Sequence, residues 1–190
     1  NTSAMAIRIQ STSDFIVDGG DSAVDANAAG GTIWMSAKDG IGVTGGAPDT
    51  DIETDAAILM AHVLGAGDIF IDESNAVELR DVDTWNGNID IETVGPGDMN
   101  LDEQDSLVVT SAIVDDGNIT IRAGLDDNLS ADAGVDTIWI GYIEADGDPD
   151  NDIMLRAQDD IHDATNSNLE TNTDIRSGGN TTLSVVDGVI

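Results

Sequence analysis

Along most of this chain, apolar and polar positions alternate in runs of about five residues, separated by Gly, Asn and Asp. A Gly, a polar residue, an apolar residue, any residue and a second apolar residue recur as Gly31-Thr32-Ile33-Trp34-Met35, Gly67-Asp68-Ile69-Phe70-Ile71, Gly87-Asn88-Ile89-Asp90-Ile91 and Gly117-Asn118-Ile119-Thr120-Ile121. Looser copies stand at Asp136-Thr137-Ile138-Trp139-Ile140, Asp152-Ile153-Met154-Leu155 and Gly179-Asn180-Thr181-Thr182-Leu183. A period of two predicts strands with one buried face, because successive side chains of a strand point to opposite sides. A helix would need apolar residues every three to four positions. After several copies comes a second unit with a small residue, an acidic turn and another apolar residue, as in Ala37-Lys38-Asp39-Gly40-Ile41 and Ala157-Gln158-Asp159-Asp160-Ile161.

The copies resemble one another in sequence as well as in pattern, and this favours stacked repeats over an antiparallel sandwich. From Gly67 to Gly87 is 20 residues, from Gly87 to Gly117 is 30, and from Gly117 to Asp136 is 19. The expected fold is therefore all-β, a parallel β-helix (β-solenoid) with irregular rungs of roughly 20–30 residues, forming a single domain over residues 1–190. Leu107-Val108-Val109-Thr110 supplies a third strand in the longer rung, and Ala57-Ile58-Leu59-Met60 holds the matching place before Gly67. Ile69, Ile89 and Ile119 are predicted to form one buried ladder, with Asn88 and Asn118 stacked at a turn. Asn beside Gly is also a common turn former in its own right.

Composition adds two constraints. The 190 residues are 40% hydrophobic but only 3% aromatic, so aliphatic side chains must form the core. Six Lys plus Arg against 38 Asp plus Glu give a formal net charge of -32, which makes nucleic acid a poor partner. Such self-repulsion opposes compaction unless cations or salt offset it. No Cys is present and no stretch is apolar enough for a transmembrane helix.

Gly117-Asn118-Ile119-Thr120-Ile121-Arg122-Ala123 resembles the repeats of filamentous haemagglutinin-type bacterial surface proteins, in which such a strand leads into an Ala-containing corner. The resemblance runs from about Gly31 onward. It implies a right-handed parallel β-helix in a secreted adhesin or fibre, without an active site. The strong acidity and uneven rungs depart from that pattern.

Calcium is the expected small ligand, since a hard cation takes six to eight oxygens. Asp146, Asp148, Asp150 and Asp152 alternate along one loop, and Asp49, Asp51 and Asp55 along another; Asp115, Asp116, Asp126 and Asp127 form a third set. Asp in turns of a salt-adapted surface is the alternative reading. His62 and His162 lie far apart and read as structural, so no catalytic constellation is expected. Trp34, Phe70, Trp139 and Met154 should point outward between core residues and line one lateral face for a partner. The chain opens at Asn1 without Met, and its strand pattern continues to Ile190, so both ends read as uncapped. These features predict an extracellular or cell-surface filament subunit or segment that self-associates end to end. A glycan-binding or surface-binding adhesin segment of a longer secreted protein is the alternative, and a β-helix polysaccharide-active enzyme the more distant one.

Overall fold

The computed structural model describes residues 5–20, 23–43, 50–95, 97–101, 107–110, 117–124, 136–145, 148–163 and 175–190. Fifteen strands lie in one sheet: β1 (Met5–Gln10), β2 (Ala26–Ala37), β3 (Ile52–Ala66), β4 (Ile69–Glu73), β5 (Val77–Asn86), β6 (Ile89–Thr93), β7 (Met99–Asn100), β8 (Leu107–Thr110), β9 (Ile119–Ala123), β10 (Thr137–Ile140), β11 (Tyr142–Ala145), β12 (Ile153–Ala157), β13 (Asp160–Asp163), β14 (Ile175–Ser177) and β15 (Thr181–Val185). Among the described residues there is no helix, and every strand ladder is parallel. Parallel pairing throughout rules out the antiparallel sandwich.

Three ladders make up the sheet. In the first, β4, β6, β9, β12 and β15 follow one another in register, so that Ile69, Ile89, Ile119 and Ile153 stack. The second runs through β1, β2, β3, β5, β8, β11 and β14. The third joins the start of β5 to β7, β10 and β13. The long strand β3 belongs to two ladders at once: Ile52, Glu53 and Thr54 pair with β4, while Ile58 through Ala66 pair with β5. The sheet therefore wraps around a shared interior instead of lying open.

That interior is aliphatic, as the scarcity of aromatics required. Ile33, Met35, Leu59, Ile69, Leu79, Ile91, Met99, Ile121, Ile138 and Leu155 belong to one buried cluster to which every ladder contributes. Alternation assigns the inward places, and isoleucines on stacked strands fit the pleat well.

Register in the first ladder is held by side chains as well as by strand hydrogen bonds. Asp68 Oδ1 accepts from the backbone N–H of Asn88 at 2.7 Å, 20 residues on. Asn88 Oδ1 accepts from Asn118 N at 2.9 Å across 30 residues, and Asn118 Oδ1 from Asp152 N at 2.8 Å across 34. Asp152 Oδ1 in turn accepts from Asn180 N at 2.6 Å across 28 residues. The predicted stacking of Asn88 on Asn118 is thus part of a longer ladder of Asp and Asn side chains, and the rungs run to 34 residues instead of 30. The glycines just before it have a packing reason. A Cβ on Gly67 would fall on the Asp39 carbonyl oxygen, and one on Gly87 on that of Gly67, so adjacent corners approach too closely for a side chain.

Two expectations are corrected. The outward residues do not share one lateral face: Trp34 lies in the second ladder beside Arg8 and Met60, Trp139 in the third beside Asn100 and His162, and Phe70 and Met154 in the first. Similar copies fall on different sides because strands such as β3 are long enough to turn a corner. Phe70 points away from the core cluster yet is only 7% exposed, with Gly42 packed so close that a Cβ there would lie 2.9 Å from the Phe70 Cβ. It is covered by this chain's own backbone.

Replacing Asn118 by Ala orphans the Asp152 N–H at a corner where Gly117 is buried, so a loss of about 1–3 kcal/mol is expected. Replacing Ile119 by Ala should cost about 2–5 kcal/mol by opening a cavity. Denaturant midpoints test both, and an Asn118→Ala midpoint equal to that of the parent chain would remove the ladder from its role.

Candidate functional site

Two of the predicted calcium-loop residues, Asp152 and Asp55, hold rungs together. Asp146 and Asp49 lie outside the described residues, as do Asp115, Asp116, Asp126 and Asp127. Asp148 accepts the Asp150 N–H at 3.0 Å, closing a local turn. Asp152 serves the ladder and also accepts the Asn180 side-chain amide at 3.2 Å. Asp55 bridges three rungs by accepting from Asn27 Nδ2 at 3.0 Å and Asn75 Nδ2 at 3.2 Å. Asp51 is half-buried at the start of β3.

Charged groups converge elsewhere. Asp18, Asp25 and buried Glu53 bring one carboxylate oxygen each within 4.8 Å of one another. Burial and the neighbouring Asp18 charge hold the Asp25 carboxyl above its usual range. On the outer surface of the first ladder, Arg122 pairs with Asp90 at 2.9 Å and with Glu92 at 2.7 Å. Arg156 stacks directly on Arg122 in register, as their matched places in the repeat suggested.

His62 on β3 is the centre of a cluster that the sequence pattern did not expose. Its Nδ1 lies 2.5 Å from Asp83 Oδ1 and its Nε2 3.7 Å from Asp81 Oδ2, both acids being on β5. Met60 pairs with Asp81 and His62 with Asp83, so the parallel register places both carboxylates beside one imidazole. The hydrogen bond to Asp83 raises the His62 pKa against the opposing effect of burial. Burial in turn raises Asp81. Trp34 on the adjoining strand leans over the imidazole, ring centroids 5.7 Å apart, while Arg8 lies 4.3 Å above the same indole. The third ladder holds a simpler version: Trp139 sits 5.0 Å from His162, whose Nε2 is 3.6 Å from Asp160 Oδ2. The readable signal was the offset of 21 residues between His62 and Asp83, close to one short rung.

Glu73 was equally hidden. It is 0% exposed at the end of β4, in the inward position that Ala123 and Ala157 fill farther along the ladder. Its carboxylate accepts from Thr54 Oγ1 at 2.7 Å, Ala56 N at 3.1 Å and Asn75 N at 3.3 Å, so it organises the corner between β3, β4 and β5. Burial still outweighs these donors and raises its pKa from 4.5 to about 7.

Of the four predicted partner residues, Trp139 at 37% and Met154 at 36% exposure remain open, Trp34 is half-buried, and Phe70 is covered. Leu64 and Trp85 are more exposed than any of them and were not anticipated. They follow the paired residues Val63 and Thr84, where the register between β3 and β5 becomes irregular. No protein-family model, curated protein or solved structure matches the chain.

A carboxyl group raised on folding stabilises the fold when protonated. The Glu73 contribution is therefore complete below pH 4.5 and is lost as pH rises through about 7, a change of roughly 3 kcal/mol. Glu73→Gln should remain stable where the parent chain weakens, so the difference in unfolding free energy between the two should shift by that amount between pH 4.5 and 8. Parallel pH profiles would show that Glu73 does not titrate near neutrality.

Proposed function

We propose that this chain is a stretch of parallel β-helix serving as a structural subunit or segment of an extracellular or cell-surface filament, its rungs joining end to end. The observation that carries this reading is the set of unshared strand edges: among the described residues β14 and β15 each pair on one side only, as does β1 at the opposite end of the stack, while the far side of β13 is taken by Val189, whose carbonyl accepts from Ile161 N at 3.0 Å. A parallel edge is a template for another strand, whether the next rung belongs to a longer chain or to a second copy. The resemblance of the repeats to haemagglutinin-type surface proteins points the same way. The absence of any helix long and apolar enough to cross a membrane, among the described residues, is compatible with it.

The charge of -32 sets the conditions for assembly. Stacking copies brings carboxylates together, so calcium or another divalent cation, or high salt, is needed to offset the repulsion. Filaments assembled with calcium should come apart in excess chelator at low salt; their persistence there would eliminate cation bridging.

The edge itself has a direct test. The Asn180 carbonyl accepts from Ile153 N at 2.9 Å, so by strand alternation the next N–H, that of Thr181, faces the open side. Thr181 is exposed and opens β15, where Pro is tolerated. Thr181→Pro should leave the monomer folded and abolish concentration-dependent polymers in negative-stain images. Polymers unaffected by this change would exclude growth through β15. A glycan-binding adhesin is the second reading, favoured by the exposed rings of Trp139 and Trp85. It predicts a discrete monomer that retains sugar instead of polymers.

A further inference from the structure

The two nitrogens of His62 face two different carboxylates, and one neutral imidazole cannot satisfy both. Its single N–H goes to Asp83, 2.5 Å from Nδ1, which fixes the tautomer and leaves the Nε2 lone pair directed at Asp81 Oδ2, 3.7 Å away. Two electron-rich atoms facing each other repel unless a cation lies between them. The 3.7 Å separation exceeds hydrogen-bond length, at or below roughly 3.2 Å. A separation of 3.7 Å is instead near the roughly 3.3 Å that two ligands leave across a shared tetrahedral metal with bonds of about 2.0–2.1 Å.

The surroundings are built to hold this geometry. The three side chains project from adjacent strands in fixed register, one ligand atom from each lying within 4.8 Å of the others. Trp34 covers one side of the ring. Both Asp81 and Asp83 side chains are 40% exposed, so an ion and its water ligands can reach the site from solvent. A carboxylate receiving the far N–H of a ligating histidine is the usual orienting partner of a metal-bound imidazole.

We propose that His62 Nε2 and Asp81 bind a divalent transition-metal ion of the zinc class, with Asp83 as the positioning residue and water completing the coordination. An imidazole donor selects such an ion over calcium, which takes oxygen ligands. This site stands apart from the cation bridging invoked for assembly and does not depend on it.

The test titrates the whole chain, freed of metal by chelator, with zinc in physiological salt and millimolar calcium, the latter saturating the general carboxylate surface. Heat of binding and the imidazole nitrogen shifts are followed together. One saturable zinc site is expected, with the His62 Nε2 resonance moving at one equivalent and Nδ1 keeping its proton. His62→Gln should abolish that site, Asp81→Asn should weaken it at least tenfold, and Asp83→Asn should weaken it roughly 10- to 100-fold. His162→Gln should leave it unchanged. The proposal is overturned if the His62 resonances of the parent chain do not respond to zinc, if calcium displaces zinc equivalent for equivalent, or if saturable binding survives in His62→Gln.

Discussion

Everything in this molecule depends on keeping rungs of unequal length in register. Main-chain hydrogen bonds alone permit slippage, because a parallel ladder has evenly spaced donors and acceptors. The Asp68, Asn88, Asn118 and Asp152 side chains remove that freedom, each accepting from a backbone N–H of the next rung, the last of these being that of Asn180. With this corner fixed, the aliphatic columns fall into line and the excursions between them can differ by fourteen residues without disturbing the core. Loop closure costs rise only slowly with length, so longer excursions are cheap once their ends are pinned.

The same register explains how so acidic a chain stays compact. Acids are placed where a neighbouring rung supplies donors: Asp55 between two asparagines, Asp152 under a backbone amide, Glu73 among three donors, and Asp90 and Glu92 around Arg122. Hydrogen bonds to an ionised acceptor are stronger than neutral ones, which makes carboxylates useful corner pieces as long as their partners recur. Glu73 marks the limit of that strategy, because its donors do not compensate for complete burial.

Much of the first ladder was legible in the sequence. Ile69, Ile89 and Ile119 and their preceding Asn or Asp could be aligned because each copy repeats the same five-residue phrase, and a parallel stack places like on like. Of the other two ladders only the matched segments 57–60 and Leu107–Thr110 were legible, since β2, β3 and β5 bend from one side to the next within an unbroken strand and carry no Gly or Pro at the bend in β3. That is why Trp34, Phe70 and Trp139, alike in local pattern, point in three directions. Glu73 escaped notice because its copies along the ladder are Thr93, Ala123 and Ala157, and nothing local announces a buried acid. The pairing of His62 with Asp81 and Asp83 required knowing which of several repeat lengths applied between β3 and β5.

The side-chain ladder also has a sense. In each step the acceptor belongs to the earlier rung and the donor N–H to the later one, from Asp68 through to Asn180. The column is consequently a vector: one face of any rung offers side-chain oxygens, the other offers amide hydrogens. Two such columns meeting by their like faces would set acceptor against acceptor, so matter built from this fold has a built-in arrow and can lengthen only with all its units pointing the same way.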